Sequence, residues 1–212
     1  MGSGDEVMKE DASVRVYGRG QRYLRSRSTV GIVLSLVLVA LVCVGAVTFL
    51  LRLDPFWFAT AVLVVLVALE PALAHRDLSR ITSWWLLLLI SLPFIANIVG
   101  LASGLEPLAM TSAVGWLITS ISLFVLCWTI MVMIDEREGM TLREQYLALS
   151  AFTFLEAIVI IQGWLSYYSD LGLGTHLVAS NFAFMLFFVL CTIAGVVLAF
   201  LFRHVGRPRW EA

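Results

Sequence analysis

The sequence predicts an all-α polytopic membrane protein, a single-domain bundle of six transmembrane helices with short loops, and three observations carry that prediction. Of the 212 residues 60% are hydrophobic and only 14% charged, where about a quarter of a soluble domain is usually charged. Mean hydropathy is +0.94. The apolar residues collect into six long runs, each near the ~20 residues that a helix needs to cross a hydrocarbon core. Backbone groups in lipid must be bonded internally, and runs of this length exclude a barrel, whose strands are about ten residues long and alternate.

The expected spans are 30–51, 55–74, 81–103, 109–134, 144–168 and 177–203. They divide the chain into a polar N-terminal tail (1–28), a transmembrane domain (29–204) and a short C-terminal tail (205–212). The tail before the first span has no apolar core of signal-peptide length, so no cleaved leader is expected. Connections between spans are too short to hold a soluble domain, which leaves function to the helices, the tight loops and the tails.

Cations orient the bundle. Of the fourteen Lys and Arg residues, thirteen fall in the two tails and the loops after the second and fourth spans, and Arg52 alone falls on the other side. Short-loop cations are retained on the cytoplasmic face, so both termini are expected to be cytoplasmic and the protein to lie in a cell membrane. Within the N-terminal tail Arg15, Arg19, Arg22, Arg25 and Arg27 form a basic stretch beside the first helix. Adjacent to a bilayer, attraction to anionic lipid headgroups explains it better than nucleic acid, at about 1 kcal/mol per cation. Trp57, Trp84, Trp85, Trp164, Tyr167 and Tyr168 fall near expected interfaces and match an aromatic belt.

Motifs for known chemistry are missing: there is no zinc-hydrolase His-Glu-x-x-His, nucleophile elbow, P-loop or Cys-x-x-Cys pair. His75, His176 and His204 are scattered at span ends, and Cys43, Cys127 and Cys191 lie singly inside apolar runs. No metal, cofactor or nucleic acid is expected, and the balance leans against an enzyme.

Glu156 stands out, because it falls near the middle of the fifth span. A central Asp costs about 2.5–3.5 kcal/mol on insertion scales, so an acid there normally faces the bundle or a cavity. At ~1.5 Å per residue Ser122, Cys191 and Thr192 come to similar depth, with Asn97 about a turn away. One expectation is a midplane proton or cation site formed by Glu156, Asn97, Ser122 and Thr192; the other is a neutral Glu156 that hydrogen-bonds a neighbour and fixes packing. Glu70 is a second candidate near the end of the second span. Pro71 after it cannot donate to the carbonyl of Val67, as Pro93 cannot donate to that of Leu89. A gate at Glu70 and a side chain that reaches interfacial water or a cytoplasmic arginine are the alternatives there.

The loop 135–144 holds the densest charge, and its Thr141-x-x-Glu144 spacing fits a capping box. Gly31-x-x-x-Ser35, Gly195 and Ala199 read as packing seams. Six spans permit division into two halves of three, but the halves show no residue-level match. Two functions follow: a small transporter or channel-like protein built on Glu156, or a non-catalytic assembly or regulatory subunit that docks a protein partner or a second copy through its helices or the 135–144 loop.

Overall fold

The computed structural model describes residues 29–77, 81–103, 113–138, 144–175 and 180–205. Six helices occupy them: α1 (Thr29–Leu51), α2 (Pro55–His75), α3 (Trp84–Ser103), α4 (Ala113–Glu138), α5 (Glu144–Leu173) and α6 (Asn181–Val205). Five are long and apolar enough to cross a membrane. The exception is α3, whose apolar stretch Trp84–Gly100 is shorter; Ile81, Thr82 and Ser83, which the third apolar run was expected to place in the same helix, lie outside it. The basic residues 15–27, His176 and residues 139–143 of the 135–144 loop, the capping-box threonine among them, lie outside the described residues.

Packing sorts the helices into two trios. In the first, α1 lies against both α2 and α3; in the second, α4, α5 and α6 all pack on one another, and the α3–α4 contact is the main join between the two. The main core draws Phe49, Trp57, Ala61, Val64 and Phe94 from the first trio and Leu123, Phe124, Leu126, Leu155 and Val159 from the second. Helix α4 is central: 61% of its span is buried, against 17% for α6, whose remaining surface is the apolar exterior expected of a lipid-facing helix.

Local chemistry fixes the turns. Three residues join α1 to α2, with Leu53 in the left-handed region at φ 56° and the Asp54 amide donating back to the Phe49 carbonyl at 3.0 Å. Asp54 then caps α2, accepting from the Trp57 amide at 3.2 Å, and Pro55 follows at a first-turn position where a missing N–H costs nothing. At the far end of α5, Gly174 takes φ 65° just beyond the last helical residue, which is where a left-handed residue closes a helix at least steric cost.

Both prolines inside helices leave a carbonyl without its usual donor, and in both cases a hydroxyl from elsewhere supplies one. The Thr82 hydroxyl donates to the Val67 carbonyl at 3.2 Å, opposite the gap made by Pro71. Thr82 does more: its amide donates to the Ala68 carbonyl at 3.3 Å, and its own carbonyl accepts from the Ser35 hydroxyl at 3.0 Å. One residue thereby ties α1, α2 and the approach to α3. The Ser122 hydroxyl of α4 donates to the Leu89 carbonyl of α3 at 2.7 Å, opposite the gap made by Pro93. Gly31 and Ser35 lie on the buried side of α1, in keeping with a packing seam.

The Trp57 ring departs from the aromatic belt. It is 2% exposed and stacks on Phe49 at 5.7 Å with Phe94 edge-on at 5.8 Å, a core position. Trp84, Trp85, Trp164, Tyr167 and Tyr168 are exposed, as the belt requires.

Candidate functional site: an intramembrane carboxyl

Glu156 sits twelve residues past the start of α5 at Glu144, and Thr192 is eleven past the start of α6 at Asn181, so both are deep within their spans. The two helices meet closely here: a β-carbon built on Gly195 falls 2.8 Å from Leu155 Cδ2 and 2.9 Å from Phe152 Cδ2. That approach brings the Thr192 hydroxyl to 3.2 Å from Glu156 Oε2. The same hydroxyl lies 3.1 Å from the Phe188 carbonyl one turn back along α6. A threonine has a single O–H proton, so it cannot donate to both at once. Glu156 Oε1 is shielded from solvent and has no protein partner among the described residues.

The adjacent residue Cys191 is fully buried and turned to α4, where the Ser120 hydroxyl approaches its sulfur at 2.9 Å and the Trp116 carbonyl at 2.7 Å. Ser120, Cys191, Thr192 and Glu156 therefore mark one level across α4, α6 and α5. The sequence singles out Glu156 and Thr192 correctly as neighbours. It misses Ser120, whose signal is faint: a small hydroxyl amid an apolar run, indistinguishable from the back-bonding serines common in membrane helices.

Asn97 and Ser122 do not join Glu156. Ser122 faces α3, held by the Leu89 carbonyl. Asn97 faces α1 and is 1% exposed; its Nδ2 donates to Thr48 Oγ1 at 3.1 Å, and its Oδ1 accepts from Arg52 Nη1 at 3.4 Å. The Thr48 hydroxyl in turn donates to the Gly45 carbonyl at 2.7 Å. This cluster lies at the end of the bundle where Asp54 is buried, and burial pushes the Asp54 carboxyl above its ordinary value, opposed by hydrogen bonds from the Trp57 and Phe56 amides and by the Arg52 charge. The cluster binds Arg52 to the first trio and is a structural knot.

Glu70 reaches an arginine, the second of its two expected fates. It forms an ion pair with Arg137 in the last turn of α4, with side chains 29% and 66% exposed. Such exposed pairs contribute about 0–1 kcal/mol. Among the described residues no three His, Cys, Asp or Glu side chains gather as a metal site would need.

Comparison with protein-family models, with curated proteins and with solved structures found no match.

Proposed function

We propose that this chain is a small multi-pass transporter or channel-like protein of a cell membrane whose working group is the Glu156 carboxyl, gaining and losing a proton in each cycle. The observation that carries the reading is the placement of one hydroxyl, Thr192, between two acceptors, Glu156 Oε2 and the Phe188 carbonyl. With Glu156 protonated, its O–H donates to Thr192 Oγ1 while the threonine donates to Phe188. With Glu156 ionised, the threonine turns and donates to the carboxylate. One geometry thus serves both protonation states without repacking, as a site that must pass between them requires.

The reading takes both termini to be cytoplasmic, supported by the thirteen-to-one distribution of cations. It needs α3 to cross although its apolar stretch is short, and a tag at each terminus, tested for access from outside intact cells, checks it. A second reading, an assembly or regulatory subunit covered by a protein partner or a second copy, draws on the low burial of the α5 and α6 spans, 28% and 17%. Lipid covers such faces equally well.

The discriminating experiment is proton flux in reconstituted vesicles under an imposed pH gradient. Glu156→Gln keeps the shape and the Thr192 hydrogen bond and removes ionisation, so it is expected to unfold in detergent like the parent, within the ~0.6 kcal/mol typical of a hydrogen bond between membrane helices, and to lose flux. Undiminished flux in a stable Gln variant removes Glu156 from the mechanism. A parent silent under every gradient moves the weight to the subunit reading.

A further inference from the structure

Helix α5 changes character along one face. Ala148, Ala151, Leu155 and Val159 are buried in the bundle, and the same steps of three and four continue as Gln162, Ser166 and Ser169. Up to Val159 this inward face is apolar and from Gln162 onward it is polar, so the change falls about one turn beyond Glu156. Ser169 is 6% exposed, so this is no solvated surface. Two oxygens on the polar side lack partners: Gln162 Oε1 on α5 and Thr119 Oγ1 on α4, both shielded from solvent and without a protein hydrogen bond among the described residues. Thr119 is 1% exposed and precedes Ser120, which is at the level of Cys191 and so of the Thr192–Glu156 pair. Helices α4 and α5 pack on each other.

We propose that water enters between α4 and α5 from the end at which α5 terminates, held by Ser169, Ser166, Gln162 and Thr119, and that this file carries protons between the bulk and Glu156 on that side only. A buried polar oxygen normally finds a partner, and in a polar seam a water with two to four hydrogen bonds supplies it. Gln162 is more than a turn from Glu156 along α5, while Thr119 on α4 lies one residue from the level of the carboxyl, a gap that a short hydrogen-bonded file bridges. Each water accepts one proton and passes on another, ending on the Glu156 carboxylate as O–H, with no other bond made or broken. Toward the Arg137 end, Ala148, Ala151 and Leu155 close the same face with apolar surface, which gives the route its one-sidedness. The proposal rests on the proton-handling reading of Glu156 for its purpose, but not for its test.

The test is the rate at which a small, charged, water-soluble methanethiosulfonate reagent labels Gln162→Cys and Ser166→Cys in vesicles, with Ile161→Cys and Leu165→Cys as their respective controls one residue away on the exposed side, where Ile161 is 54% and Leu165 36% exposed. The parent measures background from Cys43, Cys127 and Cys191. A hydrated seam makes each variant react at least about tenfold faster than its own control, since each unit by which an apolar surrounding raises a thiol pKa cuts its thiolate tenfold. Equal or slower labelling at both positions overturns the proposal. Ser166→Cys is close to isosteric and keeps the test valid if Gln162→Cys fails to fold. Labelling without parent flux would count against the Glu156 reading and leave the water file standing; flux without labelling would do the reverse.

Discussion

Replacing Ser122 by Ala isolates what a hydroxyl does for a proline-broken helix. In the parent the Ser122 hydroxyl is the donor at 2.7 Å to the Leu89 carbonyl, whose regular partner would be the amide that Pro93 lacks. The site is dry, since Ser122 is 2% exposed. Hydrogen bonds between membrane helices average about 0.6 kcal/mol and reach about 1.7, and a buried carbonyl left unpaired costs about 1–3 kcal/mol. Ser122→Ala leaves almost no cavity, so the loss should be about 1–2 kcal/mol. In a Pro93→Ala background the new amide of residue 93 can serve Leu89 itself, and the same Ser122→Ala change should then cost under about 0.5 kcal/mol, a coupling of roughly 1 kcal/mol across the cycle. Reversible unfolding in mixed micelles, read on all four proteins, measures it. Equal costs in the two backgrounds would refute the reasoning, because the hydroxyl would then be stabilising something other than the freed carbonyl.

Gly195→Ala places a methyl within 3 Å of Leu155 and Phe152, so it should weaken the α5–α6 contact by about 1–3 kcal/mol and reduce flux with it; unchanged unfolding would mean that the two helices are not so close. Asp54→Asn keeps a capping acceptor for the Trp57 amide and abolishes titration. Because burial raises the folded Asp54 value above its ordinary 3.8, the folded state binds this proton more tightly than the unfolded one. Parent stability should therefore fall as pH rises from about 3.8 through the folded value, and the fall should be smaller in the variant; identical pH profiles would sink the assignment.

Helix existence was legible because apolar runs of bilayer length have few other uses, and the observed starts of α1, α2 and α5 at Thr29, Pro55 and Glu144 lie within a residue of the expected ones. Ends were less legible. Apolarity records depth in the bilayer rather than hydrogen bonding, so α4 runs on through Asp135–Glu138 and α5 through Ser169 to Leu173, beyond the last apolar residue of each run. The start of α3 at Trp84 was hidden because Ile81 and Thr82 look like helix and serve instead as a brace. For the candidate site, counting residues gave depth but not direction. Residue counting puts Glu156, Ser122 and Thr192 at similar heights and Asn97 about a turn away, yet of these only Thr192 faces the acid; Asn97 faces Thr48 and Arg52, and Ser122 faces Leu89. Which neighbour a helix turns toward depends on the order of packing, and a single sequence with short loops does not carry that.

The triple attachment of Thr82 sets an order for assembly. In the hairpin of α1 and α2 alone, the Val67 carbonyl, which Pro71 deprives of its helical donor, has to wait for the Thr82 hydroxyl. Until residue 82 arrives the hairpin carries an open backbone carbonyl in lipid, where it is expensive. The first trio therefore latches only with Thr82 in place, and a fragment that ends before residue 82 keeps two helices able to pair but leaves one of them with an unsealed break in its backbone.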